Sequence, residues 1–528
     1  MKKSLIVDHR GNPIHLGRIS TASKDSGAFR GSISNWRPRR VISDTAETNE
    51  RVLTQDRAED LYTNDFAARS TVDTIAGNAV GTGLSPQPRI PYRLLGITEE
   101  QAYDVKEQME WNWHRWCGQA HANGGMHFED LQYSAIVSLL RSGELLHLPT
   151  MIPDDEFDGH RFLSHAIQPL SPKRLRTPAD KISDPLVRDG IQRSPSGKPI
   201  GYWIASPSPT AYGGLDCIGG LTALTSADFR YIPARVAHRP GIFHVFRYGD
   251  EDEPTRGRSI LSTGVKLYRN LGDAIDYELL AQVIAASFPV FIASDGGRSG
   301  LPPEVLEQYG IGSQGDAAYR YYQTVDAGQI LYGNPGEKPE VLESNRPSQN
   351  FLAFEELVLR AAGSAAGISY ESIMKDFSKS NYSSARAALN EDWKTFRLYR
   401  SLFARHYCHP NYCMVQEEAY LRGELRLPAV GLDFYDAMHL WTNAYWYGPK
   451  RGFVDPVKEI QGNLLAIANR LMTRTEHWAE AGGDFWEAMD QIDAEEKRMA
   501  KSPGMTPIVN VNKNTIVDNP GEATNADD

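Results

Sequence analysis

Cysteine is nearly missing from this 528-residue chain: Cys117, Cys217, Cys408 and Cys413 are the only four, and no CxxC pair occurs. Cysteines so few and so scattered cannot frame a disulfide-stapled secreted domain. At roughly 150 residues per domain the length allows about three to four structural units, enough to bury cores without staples. A reducing compartment is the expectation. Long apolar runs are also missing. The most apolar stretch, Leu279 to Ala293, contains Gln282 and Pro289 and falls short of the roughly 18 residues a membrane span needs. The opening Leu5-Ile6-Val7 gives way at once to Asp8-His9-Arg10, too short for a signal-peptide core. The reading is a soluble, intracellularly made protein with no membrane partner. Positive charge is in deficit as well, with 56 Lys and Arg against 67 Asp and Glu and a net charge of −11. Non-specific affinity for nucleic acid comes mainly from cations neutralising phosphates. The deficit therefore excludes a protein that grips nucleic acid over its whole surface, and any such contact has to be local.

Catalytic signatures are absent too. No GxxxxGK followed by Ser or Thr occurs, and Gly197-Lys198 sits in Ser194-Pro195-Ser196-Gly197-Lys198-Pro199, which reads as a turn. ATP hydrolysis is not expected. There is no GxSxG elbow and no HExxH. Asp154-Asp155-Glu156-Phe157-Asp158-Gly159 has carboxylates at the first, third and fifth places of a calcium loop, but His165 stands at the twelfth, where a bidentate Glu belongs. It reads as an acidic turn. His114, Cys117, His121 and His127 match no common zinc spacing and read as core packing and polar surface. No catalytic residue, metal ligand or cofactor is expected.

What is present is a sequence of textures. Residues 1–43 form a Gly/Ser-rich arm with nine basic and two acidic side chains, suited to remaining solvated or to docking on something acidic. A helical period runs from about Asp44 to Ala76, ending in Gly77-Asn78 and Gly81-Thr82-Gly83. Further helices are expected near Glu99 to Cys117 and Phe128 to Arg141. Short β-type runs follow between about Glu144 and Phe246, so the body reads as α+β rather than a regular βαβ alternation. Leu261, Val265, Tyr268, Leu271, Ile275, Leu279 and Val283 then recur at three- and four-residue steps. With Ser259 as N-cap and Pro289 as stop, they predict a helix over 259–287, roughly 43 Å long. Strands are expected at Val290 to Ala293 and Gln329 to Tyr332. A helix is expected over Phe351 to Ala366, then a polar link Lys375 to Asn381, a second long helix from Tyr382 to Tyr407, and helices over Pro456 to Lys501. Residues 502–528 read as disordered.

Several of these segments resemble, in the same order, the lambda-type portal proteins of tailed bacteriophages. They are Arg57-Ala58-Glu59-Asp60-Leu61, the run Thr71 to Pro88, Arg256-Gly257-Arg258-Ser259, Ser369-Tyr370-Glu371, and Asn381 to Leu389. The resemblance covers roughly residues 45–500. It implies a portal fold assembled as a ring, typically of twelve subunits, at one capsid vertex of the virion, after assembly in the host cytoplasm. Double-stranded DNA would pass through the axis during packaging and ejection, without sequence-specific contacts. It implies a wing (44–258), a first stem helix (259–287), a clip (288–347), a second stem helix (348–367) and a tunnel loop (368–381). A long helix and return through the wing (382–450), a helical crown (451–500) and a tail (501–528) complete it. Partners implied are terminase, head-completion proteins, and a major capsid or scaffold protein. In the tunnel loop, Lys375, Lys379 and Arg386 are the cations placed to touch phosphates without reading bases. The competing readings are a metal-dependent nuclease or hydrolase acting on phage DNA, resting on the acidic run and the histidines above, and another minor head-tail connector.

Overall fold

The computed structural model describes residues 43–153, 161–206, 228–248, 254–286, 290–292, 330–332, 351–379, 381–429, 431–450, 456–480 and 485–500. The basic arm up to residue 42, the acidic run at 154–158, most of 288–347 and the tail lie outside them. The chain divides into two units, Met1–Glu50 and Arg51–Asp528. Of the first, only the opening of one helix is described.

The helical period expected over 44–76 is broken into two helices, α1 (Ser43–Asn64) and α2 (Phe66–Ala79). Asp65 breaks it: its backbone is extended, and its carboxylate accepts the Ala68 N–H at 2.7 Å, so a new helix is capped there. A short strand β1 (Ser85–Pro88) and a single turn α3 (Tyr92–Leu95) lead to α4 (Glu99–Cys117), which opens on a Thr98/Gln101 capping box. Helix α5 (Phe128–Ser142) ends at Gly143 in the left-handed region and turns directly into β2 (Glu144–Met151).

Two sheets follow. Strand β2 is the centre of a three-stranded antiparallel sheet with β3 (His165–Leu170) on one side and β10 (Phe243–Phe246) on the other. A four-stranded antiparallel sheet has the order β4 (Val187–Arg188), β5 (Ile191–Arg193), β6 (Pro199–Ala205), β7 (Phe229–Pro233). A small hairpin of β8 (Arg235–Val236) and β9 (Arg239–Pro240) leads back to β10. Leu146, Leu170, Leu175, Ile191, Tyr202 and Ile204 form a separate small core at the four-stranded sheet. The larger core gathers α2, α4, α5 and the later helices around Trp113, Trp116, Phe128, Tyr407 and Tyr412. This is the α+β body the sequence leads one to expect.

Helix α6 (Val265–Ala286) is shorter than the 259–287 expectation, about 33 Å, and Ser259 does not cap it. Its hydroxyl donates to the Leu140 carbonyl at 3.2 Å and the Ile260 N–H donates to the same carbonyl, so residues 259–261 are stitched to the end of α5 first. A 3-10 turn at Ser262–Gly264 then precedes the helix. Strands β11 (Val290–Ile292) and β12 (Ile330–Tyr332) form as expected and pair in parallel. Helix α7 (Phe351–Ala366) packs on α6.

The second long helix runs further than the expected stop at Tyr407. Helix α9 (Tyr382–Phe403) passes through a π turn (Ala404–Cys408) into α10 (His409–Leu421), a run of about 60 Å. Pro410 lacks an N–H and would interrupt a regular α-helix. The wider turn, with the His409 N–H bonded to Ala404, places Pro410 in the first turn of the next segment, where no donor is needed. The chain continues through α11 (Met438–Trp441) and β13 (Ala444–Tyr447), which pairs with β1, to α12 (Pro456–Ala468), α13 (Arg474–Glu480) and α14 (Phe485–Ala500). Among the described residues no helix is long and apolar enough to cross a membrane.

Candidate nucleic-acid interface

The segment 368–381, expected as a flexible polar loop, is anchored over its first half. It leaves α7 at Gly367, whose backbone is left-handed (φ +75°) and whose carbonyl accepts the Thr395 hydroxyl at 2.7 Å. Ser369 then caps a short helix, α8 (Tyr370–Met374). Asp392 of α9, only 2% exposed, holds this turn: it accepts the Ser369 N–H at 2.7 Å, the Ser369 hydroxyl at 2.6 Å and the Ser372 hydroxyl. From the other side the Ser70 and Thr74 hydroxyls of α2 donate to the carbonyls of Ile373 and Ser372. Ile368 and Ile373 are buried. The spacing Ser369-x-x-Ser372 and those two isoleucines were the available signals. A cavity of about 500 Å³ opens beside the turn, lined in part by Arg360, Tyr370, Glu371, Asp392 and Lys394.

The three cations singled out from sequence sit beyond that anchor, in different states. Lys375 ends α8 in the left-handed conformation (φ +56°) and is exposed, with no carboxylate at ion-pair distance among the described residues. Lys379 is also exposed, but its Nζ lies 3.1 Å from Glu356 of α7, which accepts Arg360 at 2.7 Å as well. The hydrogen bond to Glu356 raises the Lys379 ammonium, and the Lys379 contact lowers the Glu356 carboxyl. Arg386 is half-buried in the second turn of α9, which Asn381 caps by accepting the Ser384 N–H at 2.8 Å. Glu356, Arg360 and Asp392 are the residues that sequence reasoning missed. They lie on the flanking helices, and only the three-dimensional return of α9 brings them to the turn.

The Arg256-Gly257-Arg258-Ser259 motif has a physical account. Arg256 is buried and binds both carboxylate oxygens of buried Glu144, and also the carbonyls of Leu175, Asp189 and Pro172 at 2.9, 3.0 and 3.1 Å. Glu144 further accepts Gln55 of α1 at 3.0 Å and His244 of β10 at 2.9 Å. Burial alone would push the Glu144 carboxyl up, but Arg256 and His244 hold it well below the ordinary carboxylate range. Gly257 and Gly143 touch backbone to backbone: a side chain on Gly257 would meet the Gly143 carbonyl, and one on Gly143 the Arg258–Ser259 peptide. This clasp fixes the entry to α6.

The residues weighed for metal binding go separate ways. Cys117 is buried in the core, where burial pushes its thiol up. His121 bridges to Ile167, His127 caps α5, and His114 is exposed on α4. Among the described residues no group of three His, Cys, Asp or Glu could hold a metal ion.

Residues 29–400 match the family described as phage portal protein, lambda family. The chain is 26% identical over 499 residues to the portal protein of Escherichia phage N15, covering 91% of this chain and 90% of that protein. It is 24% identical over 498 residues to portal protein B of Escherichia phage lambda, with the same coverage of each. Similar solved structures include the neck of the native gene transfer agent particle computed with C12 symmetry, at TM-score 0.37 and 14% identity over 82% of this chain and 93% of that one. The virion of the native gene transfer agent particle matches at TM-score 0.37 and 15% identity, over 87% and 96%.

Proposed function

Because the chain belongs to the lambda family of phage portal proteins, we propose that copies of it close into a ring, typically of twelve, at one vertex of the capsid, and that double-stranded DNA moves through the axis during packaging and ejection. In this reading 44–258 form the wing, α6 and α7 the stem, 288–347 the clip and 451–500 the crown. The clip is the docking surface for terminase and afterwards for head-completion proteins, and the ring's outer surface meets a major capsid or scaffold protein. The ring assembles in the host cytoplasm and ends in the virion. The chain carries out no chemistry of its own.

One observation carries the ring. The far ends of α6 and α7 carry large apolar side chains that the described residues leave open: Tyr277, Leu279, Leu280 and Val283 on one helix, Leu352, Phe354 and Leu357 on the other, with Leu352 70% and Leu357 66% exposed. Several large apolar side chains exposed together on neighbouring helix ends mark a protein contact. A neighbouring copy presenting the same pair of helices covers them.

The segment 368–381 faces the DNA, with Lys375, Lys379 and Arg386 as its phosphate contacts. Each cation that neutralises a phosphate deepens sequence-independent binding. A conduit has to let DNA slide, and a chain of net charge −11 with a few loop cations is suited to that. Negative-stain images of the purified protein test the reading: rings with a central hole wide enough for a duplex are expected, and particles without such a hole overturn it.

A further inference from the structure

Charge is unevenly placed on this chain. Residues 171–206 and 228–240, which include the four-stranded sheet and the β8–β9 hairpin, carry ten Lys and Arg against four Asp, although the whole chain is at −11. Some of these cations are already used: Lys173 pairs with Asp56 and Glu59, and Arg239 with Glu417. Lys198, Arg230 and Arg235 are exposed and have no carboxylate at ion-pair distance among the described residues. Arg230 lies on β7, the edge strand, and Arg235 opens β8 just after it; between them the partly exposed Tyr231 packs against Trp203 with ring centroids 4.9 Å apart.

The complementary surface is the first half of α4. Glu99, Glu100, Asp104, Glu107 and Glu110 fall within its first twelve residues, with Lys106 the one cation among them. Beside them a groove of about 570 Å³ runs between α4, β1 and β13, lined in part by Pro86, Tyr103, Glu107, Trp111 and His114. Trp111 is 65% exposed and stacks on no other ring among the described residues. An open indole flanked by carboxylates is what a guanidinium takes best, since its flat cation can lie on the ring while its N–H groups reach the carboxylates.

One copy does not bring these surfaces together through α4. The opposite end of α4 and the turn after it are what meet a sheet, the three-stranded one at β3: the Trp116 indole donates to the His165 carbonyl at 2.8 Å and His121 bridges to Ile167. From Trp116 back to Glu107 is about 14 Å along the helix and to Glu99 about 26 Å. Two unlike, charge-complementary surfaces on one chain make a head-to-tail contact, the kind that closes a ring when the rotation allows.

The geometry points to a contact between neighbouring copies in which the Arg230/Arg235 edge of one seats on the acidic, Trp111-bearing groove of α4 in the next. The inference rests on the ring reading of the preceding section and specifies a second interface beside the apolar helix ends.

The test uses the full chain, with ring formation followed by mass photometry and folding by circular dichroism. The combined R230E and R235E variant should fold normally but need roughly tenfold more protein for half-assembly, and assembly of the native chain should weaken as salt rises from 50 to 500 mM. Adding D104K and E107K to that variant should restore assembly, since the charges are exchanged rather than removed. Native chain and R230E/R235E variant forming rings alike would overturn this contact and leave the ring reading standing. So would loss of rings on deleting residues 1–42 while the sheet reversal does nothing, because the arm would then be the occupant. A native chain that forms no rings at any salt overturns the ring reading and this contact with it.

Discussion

Lowering the pH from 8 to 5 should destabilise the core of this protein by about 4 kcal/mol, and two buried histidines are the reason. His147 on β2 is fully enclosed, its Nδ1 sharing a hydrogen bond with the Tyr407 hydroxyl at 2.8 Å. His165 on β3 lies stacked on Trp116 with centroids 5.3 Å apart, its Nε2 sharing one with Asn411 at 3.2 Å. Burial, the largest cause in each case, lowers His147 to about 3 and His165 to about 4 from an ordinary value near 6.5. Both imidazoles are therefore neutral in the folded chain. The unfolded chain binds their protons first as pH falls, so the stability they contribute is complete above pH 6.5. It drains away below that value, until each folded pKa is reached. At pH 5 each group has forfeited about 1.5 log units, or about 2 kcal/mol, a large part of the roughly 5–15 kcal/mol that holds a domain together. The window is chosen above the carboxylates, because Glu144, whose carboxyl is held low, loses its contribution only as pH falls below about 4.5. His244, also lowered by burial, acts in the same direction as the two histidines. Urea midpoints at fixed protomer concentration measure the effect, with His147→Gln as the control that removes one titration. The variant should lose about 1 kcal/mol at pH 8 through its hydrogen bond yet depend less on pH. Equal midpoints for the native chain at pH 8 and pH 5, or an unaltered pH slope in the variant, would refute the reasoning.

Two further outcomes are expected. Arg256→Met should cost about 3–5 kcal/mol because it leaves the buried Glu144 carboxylate without its guanidinium, with Gln55 and His244 left beside it; thermal unfolding measures it, and a loss below about 1 kcal/mol would mean the clasp is not a closed ionic network. Lys375→Glu with Lys379→Glu should reduce DNA packaging or retention while rings still form, as judged by packaging assays beside negative-stain images; rings that fail to assemble would instead make the segment structural.

How much of this was legible beforehand depends on where each signal resides. Helices α4 and α5 carry their own punctuation, Thr98 with Gln101 before one and Gly143 after the other, so their limits could be read locally. The start of α6 could not. Ser259 looks like an N-cap, but its hydroxyl is claimed by Leu140, which sits 119 residues away and adjoins it only through the Gly143–Gly257 contact. The continuation past Tyr407 was missed for a different reason: a π turn is a tertiary solution that leaves no periodic trace. At the candidate interface the three cations were evident as residue types, whereas their differing states were not. Glu356 and Asp392, which decide what is pinned and what is free, lie about one helix away in sequence on either side. The Arg230 edge and the acidic face of α4 were hidden by the whole-chain sum of −11, because a sum cannot register that opposite charges have been sorted onto separate surfaces.

The run from Tyr382 to Leu421 also has a mechanical meaning. Near one end Asp392 grips the α8 turn; near the other Glu418 accepts the Ser164 and His165 N–H groups at 2.6 and 2.8 Å, and Glu417 holds His238 and Arg239 of the hairpin at 2.8 Å. A push on the turn therefore travels as compression along a stiff helical strut of about 39 Å, from Asp392 to Glu418, and is delivered to the β3 end of the three-stranded sheet and to the β8–β9 hairpin. The strut has one weak joint, the π turn at Ala404–Cys408, where a regular hydrogen-bond ladder is interrupted. Strain arriving from the turn is divided there, part bending the joint and part displacing β3 and the hairpin, in a ratio set by the stiffness of that single turn.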